Sequence, residues 1–315
     1  MTVKRLFRLF KNGIKYIFDR KYRFTVDTYR GKYVKLSDED YVKLATKVYF
    51  GKEIDLDNPV TFNEELQWLK LYDRKPQYTT MVDKYLAKKY VTDIIGEQYI
   101  IPTLGVWDRF EDIDFDSLPN EFVLKCTHDS GGLVICRDKS NFDFKKAKRK
   151  INRSLKRDLY LYSREWPYKN VQKRIIAEKF MSDNESSDGL TDYKFFCFDG
   201  VAKLMFVATD RNNASAETKF DFFDMEFNHL PFTNGHPNSA EPIKKPSTFD
   251  EMRNIAEKLS KGIPHVRVDL YEINGKVYFG EMTFYHWGGL KAFDPEEWDE
   301  KLGRLIVLPE KTVED

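Results

Sequence analysis

The sequence predicts an α+β protein with a helical N-terminal part, a small mixed lobe and a larger sheet-rich lobe. Helical spacing of apolar residues dominates up to about residue 94, whereas alternating, aromatic-rich segments typical of strands dominate from about residue 172. Helices and strands do not alternate regularly, which argues against a Rossmann or barrel fold. The chain has 315 residues, of which 41% are hydrophobic, so it can bury a sizeable core.

The charge and cysteine content exclude several classes of protein. The 52 basic and 51 acidic residues nearly cancel, so a nucleic-acid partner is not expected. The cysteines (Cys126, Cys136 and Cys197) are odd in number and lack CxxC spacing, so they predict neither a disulfide framework nor a zinc site. The sequence has no secretory signal and no run of about 18 apolar residues. We therefore expect reduced thiols and a cytoplasmic location.

The first segment, residues 1–24, reads as a basic amphipathic helix. Its apolar residues follow i, i+3, i+4, i+7 spacing, and Asp19 is its single acidic residue against eight lysines and arginines. Such a helix can lie on an anionic membrane surface, which would place the protein peripherally at the inner face of the plasma membrane. It can equally dock on its own domain with its cations in solvent. The sequence leaves both alternatives open.

The remaining elements are predicted in order along the chain. Helices are expected at 38–50, 61–74, 80–94, about 142–157, 248–261 and 295–304, with Thr61 and Glu64 in capping-box spacing at the second. Strands are expected near 99–101, 105–107, 121–126, 133–137, 174–181, 192–200, 201–210 and 219–224, followed by a hairpin over 264–284. This organisation predicts four regions: the first helix (1–24), a helical region (25–79), a small lobe (80–173) and a large lobe (174–315).

The hairpin carries the clearest chemistry. Arg267 and Asp269 share a face of its first strand, and Glu281 and Thr283 share a face of its second. A two-residue Asn-Gly turn would put the two carboxylates on opposite faces, whereas a three-residue loop with a bulged glycine would put them on one face. We predict the three-residue loop and a hard-oxygen site suited to Mg²⁺. The alternative is a solvent-exposed Arg267–Glu281 pair.

A second feature is the stretch FVLKCTHDSGG, residues 122–132. Lys125 closes an apolar strand, and the two glycines that follow let backbone N–H groups approach an anion. The stretch does not match the Walker-type phosphate loop. Alone it is a weak signal, and Lys84 within a helical segment is weaker still.

The order of these features resembles the ATP-grasp superfamily, and within it the TupA-like group, which is named for teichuronopeptide biosynthesis. The resemblance runs from about residue 58 to 309. It rests on the phrases NPVTFNEELQWLKLYD, DKYLAKKYV, IGEQYIIPTLGVWD, LPNEFVLKCTHDSGG, EWPYKNVQKRIIAEKFM, DYKFFCFDG, VRVDLYEINGKVYFGEMTF and LIVLP. It implies an ATP-grasp fold, in which two α+β lobes clasp ATP.

The resemblance also implies roles for matching positions. For ATP these are the phosphate lysines Lys84 and Lys125, the lid residues His128, Ser130, Gly131 and Gly132, the adenine strand with Glu178, Lys179 and Phe180, and Asp192 of an Asp-x-Lys strand. Lys194, Arg211 and Arg267 would act on the transferred phosphate, and Asp269, Glu281 and Thr283 would hold Mg²⁺. Thr283 departs from the family, where asparagine is common. His286 and Trp287 could face the acceptor.

The implied activity is an ATP-dependent, ADP-forming carboxylate–amine ligase. The expected partners are a carboxylate acceptor, such as a uronic acid or glycan precursor of a surface polysaccharide, and an amine or amino acid. One alternative is a glycosyltransferase, because Asp112, Asp114 and Asp116 form Asp-x-Asp patterns. Others are a kinase on the same fold and a non-catalytic nucleotide-binding protein.

Overall fold

A computed structural model describes residues 3–183, 189–210 and 217–312, without the side chains of residues 3–9 and 11. The helices are α1 (Val3–Phe18), α2 (Arg20–Tyr29), α3 (Asp38–Phe50), α4 (Phe62–Tyr72), α5 (Gln77–Val82), α6 (Leu86–Ile95), α7 (Phe144–Leu155), α8 (Leu159–Ser163), α9 (Phe249–Leu259) and α10 (Glu297–Gly303). The strands are β1 (Thr103–Trp107), β2 (Phe122–Cys126), β3 (Leu133–Cys136), β4 (Ile175–Lys179), β5 (Asp192–Phe198), β6 (Val201–Thr209), β7 (Lys219–Asp224), β8 (Thr233–Asn234), β9 (Val266–Ile273), β10 (Lys276–Thr283) and β11 (Phe293–Asp294). Within the described ranges, no helix is both long and apolar enough to cross a membrane.

The small lobe is a four-stranded antiparallel sheet in the order β1-β4-β2-β3. Helix α7 covers it and contributes Ala147 and Ile151 to a core with Phe122 and Leu124 of β2. β4 was expected to be the first strand of the large lobe, but its backbone pairs with β1 on one side and β2 on the other. The boundary between the lobes therefore falls after Lys179 and not at residue 174.

The large lobe is a five-stranded antiparallel sheet in the order β10-β9-β5-β6-β7. Neighbouring side chains of β5 point to opposite faces: the Phe195 ring lies 5.9 Å from Phe249 of α9, and the Phe196 ring lies 6.0 Å from Phe62 of α4. The sheet is thus sandwiched between α9 and α4. The α4 helix begins at the predicted capping box of Thr61 and Glu64.

Two predicted elements are divided in the structure. The helix expected over 80–94 breaks between α5 and α6, where the Asp83 carboxylate accepts hydrogen bonds from the backbone N–H groups of Tyr85 and Leu86. Lys84 lies at this break. The helix expected over 1–24 breaks at Asp19, which caps α2. The strand expected near 99–101 is also wrong, because Glu97–Tyr99 forms a 3₁₀ turn and β1 starts at Thr103.

The hairpin puts both carboxylates on one face, as predicted, but the expected register, with Arg267 opposite Glu281 and Asp269 diagonal to it, is wrong. Its turn is the two-residue Asn274-Gly275 type, with both φ angles positive, so Ile273 pairs with Lys276 and the three-residue loop was wrong. A bulge between Phe279 and Glu281 then shifts the register by one residue at Gly280. Glu281 consequently faces Asp269, and Thr283 faces Arg267. The bulge, and not the turn, puts both carboxylates on one face.

The bulge predicts a specific cost at Gly280. A Cβ there would lie 2.9 Å from the carbonyl oxygen of Asp269 and 3.0 Å from the Tyr271 ring. We expect Gly280→Ala to lower the free energy of unfolding by about 1–3 kcal/mol, because the strand must shift to relieve the contact. Gly13→Ala is the control, since nothing lies near its Cβ. Denaturant unfolding measures both, and equal stability of the two variants would rule out the crowded bulge.

Candidate active site

A cavity between the two lobes is lined by eight of the predicted site residues. The small lobe and the α5–α6 region contribute Lys84, Lys88, Lys125, Ser130, Gly132 and Glu178. The large lobe contributes Asp192, Lys194, Tyr271, Gly280 and Glu281. The cavity therefore joins the lysines and the glycine loop, residues 128–132, to one face of the β9–β10 hairpin.

Glu178 is held between two lysines on the small-lobe side. Its carboxylate oxygens lie 2.5 Å from Nζ of Lys88 and 2.6 Å from Nζ of Lys125. Burial by itself raises the pKa of Glu178, but Lys125 and Lys88 outweigh it and bring the pKa below its ordinary value. Burial lowers the pKa of Lys88, against the attraction of Glu178. The pair of lysines thus keeps Glu178 ionised, and Glu178 fixes where both ammonium groups lie.

The glycine loop is tied down at both ends. Lys84 donates from Nζ to the carbonyl oxygen of Asp129 at 2.6 Å and from its backbone N–H to Thr127 at 3.1 Å. The Asp129 carboxylate accepts from the backbone N–H of Gly132 at 2.9 Å and from the hydroxyl of Ser154. A Cβ at Gly132 would lie 2.5 Å from Sγ of Cys126 and 2.6 Å from Oγ of Ser154. Gly132 is therefore required by close packing of the loop on α7.

His128 was expected to bind the nucleotide, and the structure places it elsewhere. Its ring is buried and donates from Nε2 to the carbonyl oxygen of Ser154 at 3.2 Å, at the end of α7. Burial lowers its pKa, so the ring is neutral. His128 does not line the cavity, whereas Ser130 does, and Gly131 lies beside the guanidinium of Arg157. His128 fixes the loop to α7.

Asp269 is the most strongly bound carboxylate of the site. Arg267 donates to both of its oxygens, from Nε at 2.7 Å and from NH2 at 2.8 Å, and Lys194 donates to one of them. Lys194 also contacts Asp192 at 3.1 Å. Burial acts to raise the pKa of Asp269, but the two cations prevail and lower it. The face therefore holds a buried ionic cluster in which Asp269 is central.

Glu281 and Thr283 complete this face. The Glu281 side chain is 41% exposed and lies 3.7 Å from NH2 of Arg267, and the Thr283 hydroxyl accepts from the same nitrogen at 3.0 Å. Among the described residues, no three acidic, histidine or cysteine side chains form a metal-binding group. Mg²⁺ commonly takes one or two carboxylates and completes its shell with water and phosphate. Asp269 and Glu281, directly opposite on one face, supply two such carboxylates, and Arg267 already engages both the Asp269 carboxylate and the Thr283 hydroxyl.

His286 and Trp287, which were both considered for acceptor contact, have different environments in the structure. His286 is buried and accepts from NH1 of Arg267 at Nδ1, at 2.7 Å, because a guanidinium can only donate. Its Nε2 then carries the proton and donates to Oδ1 of Asn234 at 3.0 Å. Burial and the Arg267 cation hold the pKa of His286 well below its ordinary range. His286 therefore positions Arg267 and does not face an acceptor, whereas Trp287 is half-exposed and remains available.

Other predicted residues lie on the strand β4 and beyond it. The backbone of β4 pairs with β1 as far as Glu178 and with β2 as far as Lys179, so the predicted backbone contacts to an adenine would begin at Phe180. The ring of Phe180 lies 5.3 Å from the guanidinium of Arg137. Arg211, expected near the γ-phosphate, lies outside the described residues.

Helix α4 contributes residues that the sequence reasoning missed. Gln67 donates to the carbonyl oxygens of Gly288 and Gly289, and Lys70 donates to that of Gly288 at 2.6 Å. Asn63 donates to the carbonyl oxygen of Lys291. The i, i+4, i+7 spacing of these three polar residues was a readable signal, because it places them on one face of the helix. They fix the loop that carries His286 and Trp287.

The protein has two α+β lobes with antiparallel sheets. Two lysines and a glycine loop lie on the small-lobe side, and a hairpin face with acidic residues lies on the other, which is the arrangement of the ATP-grasp class of proteins. A protein-family model described as TupA-like ATPgrasp matches residues 64–307, which is most of the chain. The chain belongs to the TupA-like ATP-grasp family. No curated protein matches its sequence.

Solved structures show distant likeness. The D-alanine–D-alanine ligase of Helicobacter pylori is 15% identical, with 78% of this chain and 69% of that one covered and a TM-score of 0.41. The Bacillus anthracis ligase of the same name, complexed with ATP, is 19% identical over 65% and 55%, with a TM-score of 0.37. N5-carboxyaminoimidazole synthetase of Staphylococcus aureus is 14% identical over 65% and 44%, also with a TM-score of 0.37. The chain spans about half the length of the first structures it matches.

The Glu178 cluster predicts a stability difference between two adjacent lysines. We expect Lys88→Gln to lower the free energy of unfolding at neutral pH by about 1–3 kcal/mol, because a buried charge-assisted hydrogen bond is lost. Lys89→Gln, which removes only an exposed pair with Asp93, should change it by less than about 0.5 kcal/mol. Denaturant unfolding of both variants is the measurement.

The pH dependence of this stability difference provides the control. The folded state lowers the pKa of Glu178, so its contribution to stability is present above the unfolded value of about 4.3 and is lost as pH falls through the folded value. The difference between wild type and Lys88→Gln should therefore shrink below about pH 4. A difference that stays constant into acid would show that Glu178 is not involved.

Proposed function

We propose that the protein is an ATP-dependent carboxylate–amine ligase that forms an amide through an acyl phosphate. The observation that carries the proposal is the cavity in which Lys84, Lys125 and the glycine loop meet Glu281, which lies opposite the buried Asp269 on the hairpin. Cations and backbone N–H groups suit nucleotide phosphates, and paired carboxylates suit the magnesium that accompanies them. Membership of the ATP-grasp family supports the same assignment.

The chemistry joins two substrates without a covalent enzyme intermediate. A carboxylate oxygen of the acceptor attacks the γ-phosphorus of ATP, the bond to ADP breaks, and an acyl phosphate forms. The amine then attacks the carbonyl carbon, phosphate leaves with the former carboxylate oxygen, and the amine loses a proton. Lys125, Lys194, Arg267 and the undescribed Arg211 would stabilise charge that develops on the transferred phosphate. Mg²⁺ held by Asp269 and Glu281 would neutralise phosphate oxygens.

The ion pairs around Glu178 and Asp269 indicate how a nucleotide would compete for the cations of the site. Without a nucleotide, Lys125 is bound to Glu178, while Lys194 and Arg267 are bound to Asp269. The phosphates of a bound nucleotide would therefore compete with these carboxylates for the cations.

The proposed substrates rest on the resemblance of the chain to the TupA-like group. That group is named for teichuronopeptide biosynthesis and found among surface-polysaccharide proteins, so we propose a uronic acid of a glycan or its precursor as the acceptor and an amino acid or other amine as the nucleophile. A cytoplasmic location would give access to ATP and both substrates. The half-exposed Trp287, next to the Arg267–His286 pair, is the residue that we assign to acceptor contact.

The glycosyltransferase alternative loses support from the positions of its aspartates. Asp112 is engaged by Arg109 at 2.6 Å, and Asp114 accepts from the backbone N–H of Asp116 at 3.1 Å. None of these three aspartates lines the cavity. A kinase remains a second reading of the same site, and it differs in releasing a phosphorylated acceptor instead of an amide.

Substrate turnover tests the proposal. Release of ADP is measured with a panel of uronic acids and amino acids, and products are weighed by mass spectrometry. We expect ADP release that requires both substrates, and a product whose mass equals the two substrates less one water. ADP release with an acceptor that gains a phosphate would favour the kinase, and no release with any pair would favour a non-catalytic nucleotide-binding protein.

The metal face is tested by a matched pair of substitutions on one hairpin. We expect Glu281→Gln to reduce ATP turnover by at least about 100-fold, because an amide lacks the charge that binds Mg²⁺. Glu272→Gln is the control, because Glu272 only accepts hydrogen bonds from Ser247 and Thr248 away from the cavity. Turnover by Glu281→Gln that equals the control would refute the metal assignment.

A further inference from the structure

Helix α1 presents a stripe of large apolar side chains to solvent. Phe10, Ile14, Ile17 and Phe18 are 68%, 44%, 61% and 82% exposed. At 3.6 residues per turn these four positions fall within an arc of about 100° on one side of the helix. Scattered exposed apolar residues need no explanation, but four on one helical stripe do.

The opposite side of α1 attaches it to the protein. Tyr16, about half a turn away from the stripe, donates its hydroxyl to Asp27 of α2 at 2.6 Å. Its ring also lies 5.5 Å from the guanidinium of Arg30. The apolar stripe, which we define as Phe10, Ile14, Ile17 and Phe18, is therefore turned away from the contact that holds the helix.

The charge of this segment selects the partner. Residues 1–24 carry eight lysines and arginines and only Asp19 as an acid, whereas the whole chain has a net charge of +1. An apolar stripe on a basic helix matches the interface of an anionic lipid bilayer, which accepts apolar side chains and attracts cations. A second copy of the chain matches less well, because stripe-to-stripe packing would bring two sets of these cations together.

We propose that α1 lies in the surface of an anionic membrane, with the apolar stripe among the acyl chains and its cations at the lipid headgroups. The helix would bind in the plane of the surface, in agreement with the finding that no described helix is long and apolar enough to span a bilayer. The proposal does not depend on the ligase activity, so either can fail without the other.

Vesicle binding tests the proposal with the full chain. The protein is co-sedimented with vesicles of phosphatidylcholine alone and of phosphatidylcholine mixed with phosphatidylglycerol. We expect binding to the mixed vesicles that weakens as salt is raised. The variant Phe10→Gln/Ile14→Gln/Ile17→Gln keeps the charge and a good helix former at each position. It should bind roughly 1,000-fold more weakly, because burying each of the three side chains is worth about tenfold in affinity.

A matched control replaces exposed apolar residues elsewhere. Val201→Gln/Val307→Gln removes two exposed valines outside α1 and should bind as the wild type does. A second comparison is Arg149→Gln/Arg153→Gln, which removes two cations from the exposed basic face of α7. Loss of binding with this variant and not with the α1 variant would overturn the proposal. So would equal binding by the α1 variant and wild type, or a dimer in solution that the α1 variant abolishes without vesicle binding by the wild type.

Discussion

The buried carboxylate of Asp269 is the interaction on which the large-lobe side of the site depends. Two cations reach this buried side chain, Arg267 with two hydrogen bonds and Lys194 with one. Removing one charged partner costs much more stability than the intact cluster contributes, because the remaining partners would stay charged and buried. The positions of Arg267, Lys194 and Asp192 are therefore determined together. The same cluster orients Arg267 toward Glu281 and Thr283, the groups closest to the proposed chemistry.

Support for this cluster comes from outside the sheet. His286 and Asn234 form a neutral hydrogen-bonded relay to Arg267, and Asn234 in turn donates to the carbonyl oxygens of Lys291 and Ala292. The polar face of α4 fixes the loop that carries His286. The N-terminal helical region, which seemed separate in the sequence, is thus a structural part of the site. On the small-lobe side, Glu178 fixes the positions of Lys125 and Lys88, as Asp269 fixes those of Arg267 and Lys194.

The sequence was sufficient for the fold class, the family and eight of the sixteen residues that line the cavity, because these depend on periodicity and on short motifs. It was insufficient where tertiary contacts decide the geometry. The shared face of Asp269 and Glu281 was predicted, but the register comes from a bulge at Gly280 that the strong Asn-Gly turn signal does not reveal. Helical spacing predicted one helix through Lys84, but the helix breaks at Asp83. The Asp83 carboxylate accepts a hydrogen bond at 2.9 Å from Arg174, which is distant in sequence. Acceptor contact was considered for His286 because nothing local shows that its ring is hydrogen-bonded to Arg267 and Asn234.

The central claim, that an acceptor carboxylate is activated by phosphorylation, is tested most directly by following its oxygen atoms. The acceptor is labelled with ¹⁸O in both carboxylate oxygens, the reaction is run with unlabelled ATP and the amine, and the released phosphate is analysed by mass spectrometry. An acyl phosphate predicts that one labelled oxygen enters each phosphate and one stays in the amide. Phosphate without label, or an acceptor that keeps both labelled oxygens after ATP is consumed, would contradict the account.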